Sequence, residues 1–144
     1  MLKNISPLIS PSLLKVLCEM GEGEEIVFAD AYFPVCKAAD GGLIVRADGL
    51  GMRELLGAVL PIFPLDVDDP EHFLVMQTVG NDPASAIWDD FSGILRQHAP
   101  NSRITFIERF AYYERAKRSY AVIATGEVAP YANVILKKGR ISET

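Results

Sequence analysis
The chain predicts a layered α/β/α domain built on a mixed, mostly parallel sheet. Three observations carry that reading. Strand-like and helix-like segments alternate for most of the 144 residues. The strand candidates are short, continuous and apolar, as in Ile26-Val27-Phe28-Ala29, which is how strands covered on both faces read. The helix candidates space their apolar residues at three and four. The length fits one domain spanning 1–144, large enough to bury a core without disulfides or metals.

The elements follow in order. Ser10-Pro11 starts a helix, because serine caps free N–H groups and proline, lacking an N–H, suits the first helical position. Leu13, Leu14, Leu17 and Met20 continue it, and Gly21 or Gly23 is expected to stop it. Residues 26–29 form a strand ending at Asp30, with Pro34 closing the loop behind it. Asp40-Gly41-Gly42 is a turn and Leu43-Ile44-Val45 a second strand. Asp48-Gly49 leads into a second helix striped by Leu55, Leu56, Val59 and Leu60 and ended by Pro61 and Pro64. Residues 73–79 form a third strand. Asn81-Asp82-Pro83 is expected to open a third helix, whose stripe is Ile87, Trp88, Phe91, Ile94 and Leu95. Residues 104–107 read as a strand, 109–118 as a short helix, and 120–125 and 133–136 as the last strands.

Composition narrows the function. Apolar residues make up 49% of the chain and the mean hydropathy is +0.17, at the upper edge for a soluble monomer. The surplus suits either a large core or apolar surface buried between subunits. A net charge of −5 offers nothing to phosphate backbones, so nucleic acid is disfavoured. No run approaches the roughly 18 apolar residues of a membrane span, and residues 1–7 do not read as a signal peptide, so the expected location is the cytoplasm. Cys18 and Cys36 lack metal-ligand spacing and read as free, buried thiols, with Cys18 on the apolar face of the first helix. His72 and His98 read as surface residues with no metal partner at useful spacing and no nucleophile arrangement.

Four places carry polar chemistry. Asp30 ends a strand before an irregular loop, a position that suits either a ligand or the loop's own amides. Gly21-Glu22-Gly23 sets an acidic residue between two flexible ones, as a ligand loop or a plain helix end; it lacks the Lys-Ser/Thr of a phosphate loop. The segment from Arg109 to Arg115 brings an arginine and the tyrosines Tyr112 and Tyr113 to a strand–helix junction. An arginine fork and a tyrosine face suit a polyhydroxylated ring, and equally suit aromatic packing with surface ion pairs. Tyr131 and Asn133 precede the last strand, where the asparagine amide can both donate to and accept from sugar hydroxyls, or make a turn.

Blocks in a fixed order connect these places. They include Ile5-Ser6-Pro7-Leu8-Ile9-Ser10-Pro11, Glu19-Met20-Gly21, Asp30-Ala31, Phe33-Pro34, Arg46-Ala47-Asp48-Gly49-Leu50, Arg109-Phe110, Tyr113-Glu114-Arg115-Ala116, Thr125-Gly126-Glu127 and Leu136-Lys137-Lys138-Gly139. Over nearly its whole length the chain resembles the D-ribose pyranase/L-fucose mutarotase family, the fucose branch in particular. The resemblance implies a ribose pyranase-like α/β fold and a cytoplasmic, cofactor-free enzyme that interconverts anomers or ring forms of a free monosaccharide. It implies a homo-oligomeric ring, often a decamer of two stacked pentamers, with sites near subunit interfaces. It places Asp30, Arg109, Tyr131 and Asn133 in the sugar site. The family's catalytic histidine lies between the two glycines after the first helix, and Glu22 occupies that place here. Tyr32 also departs from the family's usual histidine or asparagine.

Mutarotation needs one group to take the anomeric proton and another to protonate the ring oxygen, with no redox cofactor and no metal. Positioned acid–base groups contribute about 10²–10⁴-fold. Histidine, with a pKa near 6.5, does both at neutral pH, whereas glutamate starts near 4.3 and needs burial or a like charge to act as an acid. A Glu22/Asp30 pair is therefore the expected catalytic couple, one carboxyl as acid and the other as base. The alternatives are a sugar-binding protein with little catalysis, in which Glu22 only hydrogen-bonds a hydroxyl, and a related isomerisation on a different substrate, such as another sugar or a sugar acid.

Overall fold
In the computed structural model, which describes residues 1–142, the elements are α1 (Pro11–Glu19), β1 (Glu25–Ala29), α2 (Val35–Ala39), β2 (Leu43–Ala47), α3 (Met52–Val59), β3 (Phe73–Met76), α4 (Ile87–His98), β4 (Thr105–Ile107), α5 (Arg109–Lys117), β5 (Ala121–Thr125) and β6 (Val134–Lys137). The strands form a sheet in the order β2-β5-β1-β6-β3-β4. β6 is inserted antiparallel between β1 and β3, and the remaining pairs are parallel. The mixed, mostly parallel sheet is as expected.

Alternation along each strand sends successive side chains to opposite faces, and both faces are covered. Ile26, Phe28, Val75, Ile123 and Leu136 join Leu13 of α1, Leu55 of α3 and Phe91 of α4 in one core. Val27, Ala29, Leu74, Val122 and Ile135 join Ala38 of α2 and Tyr112 and Ala116 of α5 in the other. This accounts for the unbroken apolar runs: neither face of the inner strands meets water. Fully burying a side chain such as Phe28 or Leu55 stabilises the fold by about 1.5–3 kcal/mol.

Ser10 caps α1 as expected, its hydroxyl accepting from the Leu13 N–H at 3.1 Å, with Pro11 in the first turn. Neither glycine ends the helix. Met20 already leaves it with an extended ψ of 136°, and Gly23 (φ 85°) instead makes the turn into β1. Pro34 opens the short helix α2 rather than only closing a loop. The helix expected to open at Asn81-Asp82-Pro83 is α4, which begins at Ile87; the Asp82 carboxylate is not a cap but accepts from the Tyr131 hydroxyl.

Three further expectations are corrected. Cys18 and Cys36 are exposed: α1 buries Leu13, Val16 and Leu17, and Cys18 lies about 100° further round the helix. His72 is only 2% exposed, tucked before β3, where its Nδ1–H donates to the Asp69 carbonyl at 2.6 Å. The topology also turns the carboxyl ends of β1, β2, β3, β4 and β5, and the amino end of β6, toward one edge of the sheet. That edge is where ligands sit in open α/β sheets.

Candidate active site
Asp30 emerges at that edge, directly after β1, and is 8% exposed. Its backbone N–H donates to Asn133 Oδ1 at 2.7 Å, which ties the end of β1 to the start of β6. Its carboxylate accepts from the Tyr32 N–H at 3.0 Å, so the loop turns round the aspartate side chain. Burial raises the Asp30 pKa above the ordinary value. The Tyr32 and Phe33 amides and the Asn133 side chain pull it back, and the charge of Glu127 pushes it up again. A carboxylate held this way accepts a proton more readily than one in water.

The neighbouring strand braces the aspartate. Thr125, at the end of β5, donates its hydroxyl to the Ala29 carbonyl at 2.7 Å. The Glu127 carbonyl accepts from the Ala31 N–H at 2.8 Å, and its carboxylate from the Met52 N–H at 2.9 Å at the start of α3. Gly126 lets these loops close: a β-carbon there would lie 2.1 Å from the Asp48 carbonyl oxygen.

Tyr131 is two residues from Asn133, in left-handed backbone with φ 53°. The Trp88 indole N–H donates to its carbonyl at 2.8 Å, the Val79 N–H donates to its hydroxyl at 3.1 Å, and its hydroxyl donates to Asp82. Arg109, half-buried at the start of α5, lies over the Phe110 ring at 4.6 Å, and its charge reaches the Tyr131 phenol. Tyr113, one helical turn on, stacks on Phe33 at 5.7 Å. Phe33 in turn donates its N–H to the Asp30 carbonyl at 3.4 Å. Asp30, Asn133, Tyr131, Arg109 and Tyr113 thus share one edge and are linked through short chains of contacts. A cleft of about 450 Å³ opens beside Tyr113, between α2 and α5.

Glu22 is elsewhere. It lies before β1, at the opposite edge of the sheet, separated from Asp30 by the length of the strand, ~16 Å at ~3.3 Å per residue. It is exposed and bound to Arg140 at 2.8 Å. One copy of the chain therefore does not bring Glu22 and Asp30 to the same ligand, a point that the sequence reading left open. Among the described residues, no three His, Cys, Asp or Glu side chains gather as metal ligands, and no helix is long and apolar enough to cross a membrane.

Sequence reasoning gave no site role to Asp82 or Glu127 and did not separate Tyr112 from Tyr113. Asp82 was readable only as a helix start. Glu127 stood in one of the ordered blocks, but its work, through contacts with backbone N–H groups, is not readable from it. Tyr112 is fully buried, with its hydroxyl unpaired and the Asp30 and Tyr113 charges within reach; burial and those charges hold the phenol well above its ordinary pKa.

Comparison with known proteins follows the same lines. The chain is similar to the fucose mutarotase of Streptococcus pneumoniae, solved in complex with L-fucose, at 41% identity and a TM-score of 0.91, over 98% of this chain and 100% of that one. It is similar to FucU from Bifidobacterium longum at 45% identity and a TM-score of 0.92, over 97% and 100%. RbsD of Bacillus subtilis, solved with D-ribose, shares the fold at 23% identity and a TM-score of 0.74, over 99% and 100%. The sequence pattern of the RbsD / FucU transport protein family matches residues 3–141, and with these likenesses it establishes that the chain belongs to that family.

Proposed function
We propose that this protein is a monosaccharide mutarotase, interconverting anomers or ring forms of a free sugar by acid–base catalysis, with L-fucose the first substrate to test. The observation that carries the reading is Asp30: a nearly buried carboxyl at the ligand edge of the sheet, raised in pKa by its burial and flanked by Asn133, in a chain 41% identical to a fucose mutarotase.

The Asp30 carboxylate takes the proton of the anomeric hydroxyl while an acid protonates the ring oxygen. The ring C–O bond breaks, the free aldehyde rotates, and the reverse steps close the ring on either face and return both protons. Asn133, Tyr131, Arg109 and Tyr113 bind the hydroxyls. Arg109 and Tyr113 supply donors and a flat face, and Asn133 supplies an amide. Glu22 serves as the second group, delivered by a neighbouring copy of the chain, since its own Asp30 is a strand length away. The protein then works as a homo-oligomer, a ring and in the family's pattern a decamer, in the cytoplasm. Exposed apolar side chains such as Phe110, Val128, Ile141 and Leu2 are consistent with such contacts.

Saturation-transfer NMR on a panel of free sugars, L-fucose and D-ribose included, reads anomer exchange directly. Binding without acceleration of any sugar would replace this reading with the sugar-binding one, which the exposed, ion-paired Glu22 favours. Glu22→Gln decides the role of that carboxyl: exchange at the parent rate removes it from the mechanism. Mixing inactive Glu22→Gln and Asp30→Asn chains after dissociation is expected to restore about a quarter of the sites if each is shared between copies. No recovery sinks the shared site.

A further inference from the structure
The Tyr131 side chain is over-determined in a way that sugar contact alone does not require. Its backbone sits at φ 53°, a region that costs a non-glycine residue about 1–3 kcal/mol unless its surroundings hold it there. The surroundings do: Trp88 holds its carbonyl, and the loop after β3 holds its hydroxyl from two sides, Val79 donating and Asp82 accepting. The turn of that loop is made by Gly80 at φ 60°. The Asp82 carboxylate has no other hydrogen bond or ion pair among the described residues and was placed in no site by the sequence.

A phenol hydroxyl carries a single proton and otherwise accepts. With that proton committed to Asp82, and the Val79 N–H already donating to the oxygen, what the hydroxyl can still offer a ligand is acceptance, not donation. We propose that Asp82 is a positioning residue that turns Tyr131 into an obligate hydrogen-bond acceptor toward the ligand, selecting a sugar hydroxyl that donates at that point. This rests on the reading that Tyr131 faces the sugar. It assigns Tyr131 away from the acid role, because a phenol whose hydrogen is held by a carboxylate gives it up less readily. In keeping with that, the Asp82 hydrogen bond raises the Tyr131 pKa above the ordinary phenol value, partly offset by the Val79 amide.

A double-mutant cycle tests the assignment. Asp82→Ala is expected to lower the exchange rate of L-fucose roughly ten- to hundredfold, as loss of one charge-assisted hydrogen bond does. In a Tyr131→Phe background, which keeps the ring, the same substitution is expected to change nothing further. Equal losses in both backgrounds, or a parent rate for Asp82→Ala, overturn the proposal. If the parent accelerates no sugar, the proposed function falls and the cycle is run on L-fucose affinity instead, read by the fluorescence of Trp88, the single tryptophan, whose ring lies 6.4 Å from that of Tyr131. A readout independent of any sugar is the ionisation of the Tyr131 phenol, taken as the absorbance difference from Tyr131→Phe. It is expected to move to lower pH in Asp82→Ala, and an unmoved titration overturns the proposal.

Discussion
The two ends of β1 carry the two carboxylates that the sequence set side by side, and they are built in different ways. At the Asp30 end the carboxyl is nearly buried, its loop wraps back on it, and the ends of the two neighbouring strands β5 and β6 brace it. At the Glu22 end the carboxyl lies in solvent and holds one surface arginine, in a turn with open space around Gly23. The difference teaches where this fold can do chemistry by itself. Parallel strands converge their carboxyl ends on one edge, so polar groups there are enclosed and tuned. The other edge leaves Glu22 in water unless another molecule covers it.

The comparison can be broken most sharply at Asp30. Asp30→Asn keeps an oxygen for the Tyr32 amide but removes the base, and is expected to slow exchange by about 10²–10⁴-fold in saturation-transfer NMR. The same variant is expected to unfold at a higher temperature at pH 7. Burial raises the folded-state pKa above 3.8, so this group's stabilising contribution is full below 3.8 and is lost as pH rises through the raised value. At neutral pH the ionised carboxyl therefore costs stability that asparagine does not. The gain should vanish in scans below 3.8, and a variant no more stable than the parent at pH 7 would show that burial at this end is not a strain. In the parent, exchange should fall as pH drops through that raised value, because the base is then protonated.

One substitution made at both ends separates packing from backbone strain. Gly126→Ala puts a β-carbon 2.1 Å from the Asp48 carbonyl, backbone that has no easy retreat, and is expected to cost about 3 kcal/mol or more in denaturant melts. Gly23→Ala meets no atom within 4 Å and bears only the positive φ of 85°, for about 1–2 kcal/mol. Equal losses would mean that the two loops are packed alike. The smallest effect is expected from Arg140→Ala, which breaks the exposed pair with Glu22 and should leave the thermal midpoint unchanged. A clear drop there would mean that the Glu22 edge is not simply solvated.

Much of this was legible locally. Ser10-Pro11 is a helix start because the hydroxyl and the missing N–H act within one turn. Continuous runs such as residues 26–29 are inner strands because both faces must be apolar. Asp30 and Asn133 were legible as site candidates because each ends or begins such a run. Asp82 was misread as a helix start, since the feature that decides its role, the Tyr131 hydroxyl, is 49 residues away. Cys18 was misread because one residue's rotation separates it from the buried stripe, and His72 because its burial depends on what folds over the entry to β3.

The sequence by itself determined the layered fold, the family and the residue types available for sugar chemistry, because patterning, capping and ordered blocks are properties of neighbours along the chain. Only the tertiary structure decided which of those residues meet. It set Asp30 against Asn133 and Tyr131 against Asp82, and it put Glu22 at the far end of the strand. The physical reason is that burial, charge and hydrogen-bond partnership are set by strand order and loop closure, and these join residues that sequence distance keeps apart.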